Sequence, residues 1–440
     1  MNNKKWMAIL LGGIMAASLA APCSVSAAEK TTLTFWHAMG GTNGEVLQQI
    51  VDDFNASQDE IEIKAEYQGT YDDTITKLKA AMQSDSGLPD VCQMYDVGTK
   101  FMYDSGAVIP VEDKFESTGY DKSSVMDVIS SYYTVEGKQY AMPFNVSTPM
   151  LYYNKDVFEA AGLDPETPPT TYDEVLEDAK KIVDSGAAPV GYSQAIYGWF
   201  FEQQLAGLGV TYGNNDNGRT EAVTAVDFDS NGGGLKVFDM WKKLYDSGCF
   251  EDYGTTTADT QTAFFSGQVG MIIESTAILK NAVDSSPFEV GTGYLPRIEQ
   301  NDEGGVIIGG GSLWLTDTGN EANEDAGWKF IEYITTPDVQ AKWSMGTGYF
   351  AINEKAYETD DMKAYLKENP NFETAINQLK DSPVNCNTAG VLSGVQTEAR
   401  LTFNEIMPQV YDGKLTTQDA VDQLAASVNK AIENYNESIK

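Results

Sequence analysis

The stretch 143–154, PFNVSTPMLYYN, constrains the fold of this chain most. Pro143 and Pro149 hold the backbone extended, because each fixes its own φ and keeps the residue before it out of the helical region. Small polar groups (Asn145, Ser147, Thr148) stand between them, and an apolar-aromatic burst, 150–153, follows. A run this short and rich in β-formers predicts a buried strand. A short helix should then run through Ala161 and stop at Gly162, a residue suited to a left-handed cap. Composition alone also permits an ordinary strand after a loop. A polar, proline-braced segment feeding a strand is nonetheless what a chain needs to leave one domain and found another.

The flanking pattern favours the second reading. Residues 31–36 alternate as a strand, and Thr42 with Glu45 three places on reads as a capping box. Val46, Leu47, Ile50, Val51 and Phe54 then form a helical stripe. Residues 61–67 read as a strand, 71–82 as a helix and 91–95 as a third strand, an alternation that predicts right-handed crossovers and a mostly parallel sheet. After residue 154 the pattern restarts. Thr171 and Glu174 form another capping box closed by Gly186, helices are expected at 199–208 and 235–245, and strands at 269–274, 289–294 and 305–315. Helices at 326–333, 339–343 and 420–432 end the chain. The glycine- and asparagine-rich stretch 214–234 reads as a surface excursion. With 440 residues, of which 42% are hydrophobic, two cores are expected. No stretch resembles a linker, which fits domains joined by several short crossings.

The first 27 residues read as a cleaved leader. Lys4 and Lys5 precede an apolar run (6–21) too short to span a membrane, and Val25-Ser26-Ala27 suits a cleavage site. Cys23 raises the alternative of lipid attachment, but Pro22 and the placement of Leu19 make a poor box. The protein is therefore expected to be exported, periplasmic or extracellular, and membrane-anchored only if Cys23 is lipidated. Cys92, Cys249 and Cys386 then remain, so at most one internal disulfide can form. A formal net charge of −36 argues against nucleic acid and anionic membranes as partners.

Catalytic signatures are scarce. His37 is the only histidine, which leaves no histidine triad or multi-histidine metal site, and it reads as a structural residue at a sheet edge. The glycines of 305–312, GVIIGGGS, lack the lysine of a phosphate loop. No enzyme, cofactor or metal is expected. Arginine usage says more. Among 29 basic residues only Arg219, Arg297 and Arg400 are arginine. An arginine kept where lysine is the habit can serve as a planar fork for phosphate or carboxylate. Arg219 and Arg297 read as surface residues. Arg400 is either the fork or a solvent-facing residue balanced by Glu398 or Glu405, neither of which has helical pairing distance.

TFWHAMGG, PFNVSTPMLYYNKDVFEAAGLDPETPP, IIGGGSLWL and FIEYITTPDVQAKWSMGTGYFAIN occur in this order. Together they resemble extracellular solute-binding proteins of family 1, the binding subunits of ATP-driven (ABC) importers. YQGTYDD, QMYDVGT and PFNVSTP are similar to the branch that binds sn-glycerol-3-phosphate or glycerophosphodiesters. The resemblance implies a two-lobed α/β fold of the type II, maltose-binding-protein-like kind. One lobe would hold 28–145 with 292–349 and the other 146–291 with 350–440, with crossings near Val146, Thr292 and Phe350. It implies ligand contacts at Tyr71, Asp96, Ser147, Ser275, Gly310, Tyr349 and Arg400, with Trp199 retained on the cleft wall. It further implies a glycerol phosphate or glycerophosphodiester such as glycerophosphocholine as ligand, ABC permease transmembrane subunits as partners, and a monomer. An oligosaccharide-binding protein of the same family is the alternative.

Two positions depart from that branch. Asp96 stands where glutamate is usual, and Ile196 where a tryptophan lines the cleft. Both changes should widen the cleft and favour a diester over glycerol-3-phosphate, and Ile196→Trp should reverse the preference. Arg400→Lys is expected to weaken phosphate binding while leaving the unliganded fold almost unchanged.

Overall fold

The computed structural model describes residues 30–84, 87–300 and 303–439; the leader, its cleavage site and Cys23 fall outside them. Three strands open the first lobe: β1 (Thr31–His37), β2 (Ile61–Tyr67) and β3 (Val91–Tyr95). They lie parallel in the order β2-β1-β3, joined by the helices Gly41–Ser57 and Tyr71–Met82. The first helix buries Leu47, Ile50, Val51 and Phe54 as its spacing requires. It starts at Gly41, so Thr42 lies inside the first turn, and the cap position falls to Gly40 with no side-chain bond. The expected Thr42–Glu45 box is therefore absent. A reciprocal box does form at Thr70–Asp73, ahead of the second helix.

Short strands β4 (Val108–Ile109), β5 (Thr134–Val135) and β6 (Lys138–Gln139) precede β7 (Met142–Ser147) and β8 (Pro149–Asn154). Here the chain changes sheet. β7 pairs within the six-stranded sheet of the first lobe, whereas β8 sits in a four-stranded sheet with β9 (Val190–Ser193), β10 (Val269–Ser275) and β11 (Val290–Gly293). Only Thr148 separates the two. The proline-braced stretch does found a second sheet, and every residue of β7 and β8 is buried.

The last strand, β12 (Gly309–Thr316), returns to the first sheet antiparallel to β3, with β4 and β7 on its other side. The sheets are consequently mixed rather than mostly parallel. β12 arrives from the other lobe, so the crossover rule that orients β1 to β3 does not govern its direction.

Side chains alternate across the second sheet. Leu151, Tyr153, Met271 and Ile273 pack into the core of the second lobe with the helices Tyr172–Ser185, Gly198–Gly207, Gly233–Asp246, Gln396–Tyr411 and Thr417–Ser438. Met150, Tyr152 and Ile272 on the opposite face join one apolar cluster with Leu33, Phe35, Val91 and Trp314 of the first lobe. The helix Gln396–Tyr411, which carries Arg400, has no clear signature in the sequence.

Three single-residue expectations are corrected. His37 lies on a strand flanked by β2 and β3 rather than at an edge, and it is buried between the rings of Phe35 and Tyr67. Arg219 is no free surface residue. It donates to the carbonyls of Gly390 (3.0 Å), Tyr132 (2.9 Å) and Ala389, because left-handed Asn215–Asn217 turn the excursion back onto the body. Ile196 is 1% exposed in the second core. Cys92, Cys249 and Cys386 are all unpaired. Among the described residues, no helix is long and apolar enough to cross a membrane and no cluster of His, Cys, Asp or Glu could hold a metal.

Candidate functional site

Arg400 is the centre of the site. It projects from the helix Gln396–Tyr411 where that helix crosses Gly198; a Cβ at Gly198 would lie 2.5 Å from the Arg400 Cα. The missing side chain lets the two helices touch. One turn along, Glu202 then meets the guanidinium edge-on, with Arg400 Nε and Nη2 donating to Glu202 Oε1 and Oε2, both at 2.7 Å. Gln396 Nε2 donates to the same Oε1 at 2.8 Å. Across the cleft, Asp96 at the end of β3 accepts from Arg400 Nη2 at 3.1 Å. The alternative reading of Arg400, a solvent-facing residue near Glu398 or Glu405, is overturned: it is 7% exposed and paired with two buried carboxylates from different lobes.

The charges fit one another. Burial alone would lower the Arg400 pKa, but Asp96 and Glu202 outweigh it and hold the guanidinium well above its ordinary value. Burial pushes the Glu202 carboxyl up, with Arg400 and Gln396 pulling it back. Its bidentate contact with a guanidinium is the geometry of an ionised carboxylate.

The first lobe adds an ordered polar relay. The Ala38 N–H donates to Gln93 Oε1 (2.8 Å), Gln93 Nε2 to Asn145 Oδ1 (2.7 Å), and Asn145 Nδ2 to the Tyr71 hydroxyl (2.6 Å). Tyr71 stacks on Tyr95 with ring centroids 5.0 Å apart, and its hydroxyl also interacts with that of Tyr349. The Tyr95 hydroxyl lies 2.6 Å from Thr397 Oγ1, a second contact between the lobes, one helical turn from Arg400.

Trp199 opens the helix beside Arg400 and lies against Gly309, where a Cβ would come within 2.6 Å of its ring. Its buried indole N–H has no partner among the described residues. Gly310 has φ +91°, and a Cβ there would stand 1.8 Å from the Asn145 carbonyl oxygen. This residue must be glycine to let β12 pass β7.

Six of the eight expected positions thus gather round one point: Tyr71, Asp96, Tyr349, Arg400, Trp199 and Gly310. Ser147 and Ser275 end β7 and β10, and no hydrogen bond joins either side chain to those six. Ser147 is buried opposite Gly309, and Ser275 Oγ accepts from the Ala277 N–H at 3.1 Å, capping a turn. Sequence reasoning missed Asn145, Tyr197 and Glu202. The Tyr197 hydroxyl, not Ile196, stands in the field of Arg400, Asp96, Glu202 and Glu274. For Glu202 the available signal was its four-residue spacing from Gly198, meaningful only once the crossing with the Arg400 helix is known. A separate cavity of about 560 Å³, lined by Pro168, Tyr294, Arg297, Gln378 and Asp381 among others, shares no residue with this group.

A profile of bacterial extracellular solute-binding proteins matches residues 49–374. The chain is a bacterial extracellular solute-binding protein. Members of this family are substrate-binding proteins of transporters, and this chain is the solute-binding protein of an ABC importer. The sn-glycerol-3-phosphate-binding periplasmic protein UgpB of Escherichia coli (strain K12) is 31% identical over 417 residues, 93% of this chain and 94% of that one. Among solved structures, UgpB from Mycobacterium tuberculosis in complex with glycerophosphocholine superposes with a TM-score of 0.79 at 20% identity, covering 93% of this chain and all of that one. The cyclic alpha-maltosyl-1,6-maltose binding protein from Arthrobacter globiformis superposes with a TM-score of 0.76 at 25% identity, covering 92% of this chain and all of that one. The two-lobed, maltose-binding-protein-like fold is thereby established.

Proposed function

We propose that this solute-binding protein captures sn-glycerol-3-phosphate or a glycerophosphodiester between its lobes and delivers it, unaltered, to a membrane permease. The observation that carries the reading is Arg400: a buried guanidinium at the meeting of the lobes, with Asp96 opposite it. Nη2 is shared between two carboxylates, while Nη1 has no hydrogen bond to the described residues and is left to meet a phosphoryl oxygen. A glycerol diol would be accepted by Asp96 and flanked by the Tyr71 and Tyr349 rings, and the unpaired indole N–H of Trp199 is a further donor. The UgpB relatives bind glycerol phosphates by name, which supports the same class. In this reading residues 28–145 with 292–349, and 146–291 with 350–440, move as two lobes, the protein acts as a monomer outside the cytoplasmic membrane, and residues 1–27 are removed on export.

An oligosaccharide is the second reading, favoured by the ring of aromatics and by the fold shared with the maltosyl-maltose binder. A thermal-shift panel separates the two. A ligand at about 100 times its Kd stabilises by ~2.7 kcal/mol, so glycerol-3-phosphate or glycerophosphocholine should raise the midpoint while maltodextrins leave it in place. The reverse pattern refutes the phosphate reading. Turnover of a glycerophosphodiester that survives repurification would refute transport as the sole role.

A further inference from the structure

We infer that Glu202 is a specificity-determining residue: by occupying the forked edge of Arg400 it sets the cleft to select phosphate esters by charge, admitting monoanionic and zwitterionic diesters over dianionic monoesters. The inference rests on the phosphate reading above and deepens it.

A guanidinium binds an oxyanion most strongly through its Nε/Nη2 edge, where two parallel N–H groups match two oxygens. In this protein that edge is taken by Glu202, with two bonds of 2.7 Å, and the remaining Nη2 hydrogen goes to Asp96. A phosphate can then meet Arg400 only end-on, through Nη1. The charge count points the same way. Asp96, Glu202 and Arg400 form one hydrogen-bonded cluster of side chains at most 8% exposed, carrying two negative charges and one positive.

The groups facing this cluster do not reverse that balance. Glu274 adds a carboxylate near Tyr197, and Arg219 adds a cation whose donors all end on main-chain carbonyls. The sum over the five groups is −1. An incoming dianion is repelled twice as strongly as a monoanion by this excess. A diester that also carries an ammonium group gains a cation beside the carboxylates and the rings of Tyr197 and Trp199.

Position and charge can be separated, because Glu202→Gln keeps an oxygen for Arg400 Nε and Gln396 while removing one negative charge. The test is calorimetric titration at pH 8 of wild type, Glu202→Gln and the exposed control Glu398→Gln on the Arg400 helix with sn-glycerol-3-phosphate and glycerophosphocholine. A unit charge several ångströms away in a half-polar site should move the Kd ratio of the two ligands by roughly tenfold or more toward the monoester in Glu202→Gln, and should not move it in the control. A ratio unchanged within about twofold, with both ligands still binding, would show that Glu202 merely holds Arg400, leaving the phosphate reading intact. Failure of both ligands to bind wild type would remove that reading and this inference with it. Should Glu202→Gln not fold, wild type alone decides: the methyl diester of glycerol-3-phosphate, a monoanion without a cation, must bind tighter than the monoester, and the opposite order overturns the inference.

Discussion

Replacing Arg400 with lysine should destabilise the protein even without ligand, contrary to what the sequence alone suggests. Two of the three bonds from Arg400 run to Glu202 within the second lobe. The third runs to Asp96 of the first lobe. A lysine ammonium keeps the charge but can reproduce only one of the two Glu202 bonds, because it lacks the fork. One lost charge-assisted hydrogen bond in a buried setting costs about 1.5–3 kcal/mol. Total loss of a buried partner, as in Arg400→Met, costs about 3–5 kcal/mol. Urea unfolding of unliganded wild type, Arg400→Lys and Arg400→Met, followed by tryptophan fluorescence and far-UV circular dichroism together, measures both. The cycle with Glu202→Gln should show the Arg400→Lys cost shrinking when the carboxylate charge is already gone. A change below about 0.5 kcal/mol for both Arg400 variants would place the guanidinium in solvent, and the description of the site would fail.

His37 is lowered to about 4, first by burial, against an ordinary 6.5, so its neutral form stabilises the fold fully above pH 6.5 and that contribution is lost as pH falls through 4. His37→Asn should remove up to about 3 kcal/mol of pH-dependence from denaturation curves taken between pH 7 and 4, and identical profiles for the two proteins would refute this. Gly310→Ala puts a methyl group 1.8 Å from the Asn145 carbonyl oxygen at φ +91°; it should cost about 3 kcal/mol or more, read as a lowered urea midpoint. Ile196→Trp should lower stability by about 1–3 kcal/mol through overpacking of the second core and leave ligand preference unchanged. A switch toward the monoester at full stability would instead return Ile196 to the cleft wall.

Local chemistry was readable at most places where one element determines it, the Thr42–Glu45 box being the exception. The β-burst after Pro149, the Thr171–Glu174 box and the Gly162 and Gly186 stops all rest on neighbours within a few residues, and all are present. Several candidate site residues, Tyr71, Asp96 and Ser147 among them, came through motifs that resemble one branch of the family. What escaped was set by contacts distant in the chain. Glu202 and Arg400 are 198 positions apart, and their pairing depends on a helix crossing at Gly198. Arg219 looked exposed because the carbonyls it binds belong to residues 132, 389 and 390. The family resemblance puts Ile196 on the cleft wall in place of a tryptophan, yet Tyr197 is the residue of that pair that reaches the charged cluster. The direction of β12 followed from its return across the lobes, which no local periodicity encodes.

The apolar cluster that takes in Met150, Tyr152 and Ile272 together with Leu33, Phe35 and Trp314 has a consequence for how the molecule comes apart. One face of the second sheet is sealed by the same packed interior that holds the first, so melting either lobe strips cover from the other. The two lobes should therefore behave as a single cooperative unit on heating, and either lobe cut free of the other would carry a wet apolar face into solution.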